Sequence, residues 1–105
     1  MNKAFELFTA VPKLHNCAQA VAAGFGNEVL AAAMKECGGG KAPEGRCGAL
    51  HAALELTSEV CHNDIIREFT EICGAVECRD IKAQIPPYPC AECVRAAAEL
   101  VEKYR

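Results

Sequence analysis

A chain of 105 residues is expected to form one domain, long enough to bury about two thirds of the surface its unfolded form exposes. It is 51% hydrophobic, lacks Trp and has few β-branched runs, which favours closely packed helices over a sheet. A formal net charge of -3 argues against nucleic acid or an anionic membrane surface as a partner, and no apolar run approaches the roughly 20 residues that span a bilayer.

The segment Met1 to Ala10 carries a Phe and Leu stripe interrupted by Glu6, without the unbroken apolar stretch of a secretory signal, so a cytosolic location is expected. A first helix is predicted near Asn2 to Ala10, ended by Pro12. A second starts at Cys17, where Asn16 and Gln19 form an Asn-x-x-Gln capping box, and is predicted to bend around Gly24 and Gly26. Asn27 can restart it, with Val29, Leu30, Ala33, Met34 and Cys37 on one face. The glycine loop from Gly38 to Gly45 lacks the ending and the preceding strand of a phosphate-binding loop and is expected to let the backbone turn tightly. After the turn at Pro43, Glu44, Gly45 and Arg46, a helix is predicted from Cys47 to about Val60, apolar at Cys47, Leu50, Leu54 and Cys61. Asn63 is predicted to cap the next, which keeps helical period at Ile65, Ile66, Phe69, Ile72 and Cys73. A short helix follows from about Cys78 and ends before Pro86. The last runs from Cys90, behind Pro86, Pro87, Tyr88 and Pro89, to near Tyr104. No alternating strand pattern competes, so the fold is predicted to be all-α, a compact bundle of five or six helices.

Four of the eight cysteines, Cys17, Cys47, Cys78 and Cys90, thus open helices. A helix start presents unpaired N–H groups and about half a positive charge, which favours a thiolate over a thiol. If the four starts converge, they form a thiolate-lined pocket. Cys37, Cys61 and Cys73 fall in predicted last turns, where the dipole opposes a thiolate, and read as small buried hydrophobes. Cys93 lies one turn into the final helix on the face of Cys90, Val94, Ala97, Leu100, Val101 and Tyr104, as core or as a reserve ligand. His51, one turn after Cys47, is either a ligand, a hydrogen-bond partner or a partly buried polar residue, whereas His15 and His62 read as surface or capping residues. Phe5, Phe8, Met34 and Phe69 are core candidates. Glu55, Glu59, Arg67, Glu68, Glu71, Arg95, Glu102 and Lys103 read as solvated helix faces. In a reducing cytosol this many cysteines point to metal or redox chemistry more than to stable disulfides.

The segment from Asn16 to Val21, the glycine loop, the run Gly45-Arg46-Cys47-Gly48-Ala49-Leu50, the turn Glu77-Cys78-Arg79-Asp80 and the last helix from Cys90 occur in an order that resembles one family. It is the family of redox-active proteins named for its C, GCAxxG, C, C cysteine pattern, and the resemblance covers nearly the whole chain. The family's cysteines fall on Cys17, Cys47, Cys78 and Cys90; Cys90 is preferred to Cys93 because it stands nine residues before the glutamate of Ala97-Ala98-Glu99. The chain departs from the pattern at Ala52, where the family usually has its second glycine, and in its short glycine loop and shorter length. The family in turn resembles a domain of the split-Soret cytochromes c, which carry haem and an iron–sulfur centre. Haem is not expected here, because Val94 follows Cys93 where c-type attachment requires histidine. What the resemblance implies is one iron–sulfur cluster, [2Fe-2S] in first place, held by Cys17, Cys47, Cys78 and Cys90, with a redox protein as partner and, by analogy with the cytochromes, a homodimer. Two other chemistries stay open: thiol–disulfide exchange, for which Cys90-x-x-Cys93 has the spacing, and a structural zinc site. No paired acid and base residues mark an enzyme active site.

Overall fold

Capping chemistry and glycines set the helix boundaries of this protein. In its computed structural model, which describes residues 3–10, 15–36, 45–85 and 88–104, seven α-helices follow one another. They are α1 (Lys3–Thr9), α2 (Cys17–Gly24), α3 (Glu28–Ala33), α4 (Gly48–Glu55), α5 (His62–Cys73), α6 (Cys78–Lys82) and α7 (Cys90–Tyr104). The described residues contain no strand, and their one β-bridge joins Arg46 to Glu77. The fold is therefore a compact all-α bundle, with a radius of gyration of 12.1 Å.

The segment expected to bend around Gly24 and Gly26 is broken into two helices. Gly26 adopts a φ of 77°, in the left-handed region, and Asn27 then caps α3 by accepting from the Leu30 N–H at 3.0 Å. Gly24 matters for packing instead. A Cβ on it would lie 2.8 Å from the Ala4 backbone, so only glycine lets α1 approach α2 this closely. On α3 the expected apolar face is rotated. Ala31 and Met34 are buried and Leu30 half-buried, while Ala33 and Val29 face solvent, Val29 at 84% exposure.

Helix α4 ends at Glu55, well short of Val60. His62 takes over its end, with Nε2 donating to the Leu54 carbonyl at 2.6 Å, and Thr57 Oγ1 donates to the Ala53 carbonyl at 2.9 Å. A 3-10 turn at Glu59–Cys61 leads into α5, so Cys61, not Asn63, occupies the cap position, and Cys61 is not in a last turn. Ile65, Phe69 and Cys73 form the buried stripe of α5, and Ile72, expected on that face, is 45% exposed. The proposed roles of Cys37, Pro12, Pro86, Pro87 and the glycine loop as far as Glu44 lie outside the described residues.

The core centres on α7, which buries Cys93, Val94, Ala96, Ala97, Ala98, Leu100 and Val101 against α1, α2, α4 and α5. Twelve of the 25 buried hydrophobic residues described are alanines, which lets the helix axes run close together. Met34 and Phe69 are core as expected, whereas Phe5 and Phe8 are half-buried. Arg95 and Glu68, expected on solvated faces, are half-buried: the Arg95 guanidinium stacks 4.0 Å over the Phe5 ring, and Glu68 accepts from Lys103 and Tyr104 of α7.

Candidate functional site

Each of the four cysteines stands at a helix start, and local chemistry fixes each start. Before Cys17, the Asn16 side chain accepts from the Gln19 N–H at 2.7 Å while the Gln19 side chain accepts from the Asn16 N–H at 2.9 Å. Asn16 Nδ2 also donates to the Met34 and Lys35 carbonyls at 3.1 and 3.0 Å, tying the head of α2 to the end of α3. Cys47 is the cap residue of α4, and its N–H donates to the Val76 carbonyl at 2.7 Å beside the Arg46–Glu77 bridge. Those contacts clasp the head of α4 to the strand-like lead into α6, whose first residue is Cys78. Cys90 opens α7, where the Pro89 carbonyl accepts from the Glu92 and Cys93 N–H groups at 3.0 and 3.2 Å.

These starts converge. Cys17, Cys47, Cys78 and Cys90 line one cavity of about 480 Å³, together with Cys93. Phe8 and Ile81 supply apolar wall, and His15, Asn16, Gln19 and Lys82 supply polar wall. No Asp or Glu is among the described lining residues. Cys17, Cys78 and Cys90 are half-buried, whereas Cys47 and Cys93 are 5% and 2% exposed and form the cavity's inner side.

Two lining residues carry chemistry that the sequence reading missed or left open. Lys82 lies one turn after Cys78 on α6, a spacing of four that brings the two side chains together. Negative charge at Cys78 and then Cys90 holds its ammonium above the ordinary value. Cys93 is the second: it lines the cavity with Cys47, and the two buried thiols bear on each other's ionisation. The expectation that a helix start lowers the thiol pKa fails at Cys47 for this reason. The neighbouring Cys93 thiol and burial push the Cys47 thiol far up, overcoming the downward pull of the Leu50 and Ala49 N–H groups at the head of α4. At Cys93 the Cys47 thiol pulls down, but Cys73 and burial outweigh it and leave the thiol raised.

The remaining candidates fall elsewhere. His51 does not line the cavity, and its buried Nδ1 has no hydrogen-bond partner in the described structure. Cys61 Sγ lies 3.7 Å from the Tyr104 carbonyl, and Cys73 is buried in the core at the end of α5. The seven described cysteines are all free thiols.

Soft sulfur donors without hard carboxylate oxygens suit a thiophilic metal or an iron–sulfur group, so the donor set fits. The side chains as placed do not form a closed shell: among the described residues no three His, Cys, Asp or Glu groups stand close enough to hold a metal ion. Nor is any described helix long and apolar enough to cross a membrane. The chain matches no protein-family model, no curated protein and no solved structure.

Proposed function

We propose that this protein is a small cytosolic redox protein. It holds an iron–sulfur cluster, [2Fe-2S] in first place, on Cys17, Cys47, Cys78 and Cys90, and serves electron transfer or redox sensing with another redox protein as partner. One observation carries the reading: four cysteines far apart in sequence, each at the start of a different helix, line a single cavity whose described wall has no carboxylate. When bound, the cluster supplies one-electron chemistry. The chain supplies the rest. The four sulfurs bind, the helix-start N–H groups and the Lys82 ammonium offset negative charge, and Phe8 and Ile81 keep water from one wall. The short step from free thiols to ligands requires the cysteine side chains to draw together, because they are not closed around a point.

The test is the iron, sulfide and zinc content and the visible spectrum of protein purified without oxygen. Iron, sulfide and a broad visible absorption are expected. Changing Cys17, Cys47, Cys78 or Cys90 to Ser should each remove iron and colour, whereas Cys61→Ser should keep both. Equal iron in all five variants overturns the reading. Colourless protein with zinc makes the site structural, and colourless metal-free protein with reactive thiols makes thiol exchange the function.

A further inference from the structure

The polar part of the cavity wall is one-sided in its hydrogen bonding. His15, Asn16, Gln19 and Lys82 make up that part among the described residues. Both amide oxygens are spent in the capping box, Asn16 Oδ1 on the Gln19 N–H and Gln19 Oε1 on the Asn16 N–H. The Asn16 amide nitrogen is spent as well, on the two carbonyls at the end of α3. What Gln19 has left to offer the cavity is its Nε2 group, two N–H donors and no acceptor. Lys82 brings three more donors and a positive charge. The acidic side chains just before it in sequence, Glu77 and Asp80, pair instead with Arg79, at 3.6 and 3.9 Å. His15 can play either part, so the wall is built to receive an acceptor of hydrogen bonds that carries negative charge.

We propose that the Gln19 Nε2 amide and the Lys82 ammonium donate to the sulfur-borne negative charge of the cluster and thereby raise its reduction potential. This deepens the cluster reading above and rests on it. Iron and sulfide held by four thiolates form an anion, and reduction by one electron from the partner protein makes that anion more negative without breaking a bond or moving a proton. Donors fixed in the wall favour the more negative form, so they make reduction easier. The two residues come from different helices and accompany different ligands, Gln19 two residues after Cys17 on α2 and Lys82 one turn after Cys78 on α6. They are positioning residues, acting on the potential through the group that the cysteines hold.

The capping box allows a clean test. Glutamate serves as well as glutamine at the third position of such a box, so Gln19→Glu keeps the oxygen that accepts from the Asn16 N–H and the start of α2, while the free donor becomes a charged acceptor. Lys82→Met removes the other donor at similar side-chain length. Full-length protein purified without oxygen is titrated by spectroelectrochemistry on its visible absorption, with circular dichroism and iron content recorded beside it. Each variant should keep the helical spectrum and show about a tenfold lower ratio of reduced to oxidised protein at a fixed solution potential, which is about 59 mV for a one-electron couple. Lys82→Arg should stay near wild type, and Arg67→Met, on α5, none of whose described residues lines the cavity, should not shift. A folded Gln19→Glu or Lys82→Met chain that sheds iron while Arg67→Met keeps it also supports the proposal. An iron-loaded variant at the wild-type potential overturns the proposal for its residue, and an equal shift in Arg67→Met overturns it for both; in each case the cluster reading stands. The two variants lie on separate helices, so unfolding of one leaves the other to decide. Wild-type protein without iron ends the proposal and the cluster reading together.

Discussion

Asn16 does more at this site than any other non-cysteine side chain. Its oxygen completes the capping box that starts α2 at Cys17, and its amide nitrogen reaches two carbonyls at the end of α3. Replacing a cap residue of this type with Ala costs about 1–2 kcal/mol, and the extra bonds put Asn16→Ala at the upper end, measured by urea unfolding. Because Cys17 is the next residue, the same variant should retain less iron than wild type even under conditions where it is fully folded. The thiols show how one residue's surroundings overrule its position. Cys47 has the helix start that lowers a thiol pKa, and the N–H groups there do pull downward, but a neighbouring thiol and burial win. Nothing within a few residues of Cys47 announces Cys93, which arrives from the other end of the chain.

Elements carry the next group of consequences. Helices α1 and α2 touch at Gly24, where a methyl group would meet backbone rather than a movable side chain. Gly24→Ala should therefore cost roughly 1–3 kcal/mol, as overpacking does, read as a fall in the urea midpoint; an unchanged midpoint would mean that α1 can move away freely. Helices α5 and α7 are joined by Glu68, whose carboxyl is held below its ordinary value of 4.5 by the hydrogen bonds from Lys103 and then Tyr104. A depressed carboxyl pKa stabilises the fold above the ordinary value and loses that contribution as pH falls through the folded value. Stability of Glu68→Gln should accordingly be lower at neutral pH and decline less than wild type on acidification, followed by thermal unfolding across an acid pH series. The starts of α2, α3 and α7 were legible because they depend on neighbours in sequence: Asn16 with Gln19, Asn27, and the prolines before Cys90; that of α5 was not, since Cys61 and not Asn63 holds its cap position. The end of α4 was not, because apolar spacing continues through Cys61 while the actual stop comes from His62 folding back on the Leu54 carbonyl. Likewise the exposed positions of Val29 and Ile72 follow from which face the neighbouring helices cover, and helical period alone leaves that open.

At the scale of the whole molecule, the cavity is where α2, α4, α6 and α7 meet, so anything held by its four cysteines ties together segments from near both ends of the chain. A bound metal group at about a hundredfold excess over its dissociation constant stabilises the native state by about 2.7 kcal/mol, or roughly 10 to 20 °C in a domain of this size. Calorimetry before and after chelation should show a drop of that order, and an unchanged midpoint would mean that the occupant does not bridge the helices. The alanine-rich interior adds one more consequence. Alanine has no rotamer to freeze, so ordering this core costs little side-chain entropy; for the same reason the core has few alternative side-chain arrangements with which to absorb a change of shape. Adjustment at the cavity is thus left to rotation of the cysteines themselves and to whole helices sliding as rigid rods. The clasp between the heads of α4 and α6 makes Cys47 and Cys78 travel as one piece, leaving Cys17 and Cys90 as the jaws that close on it.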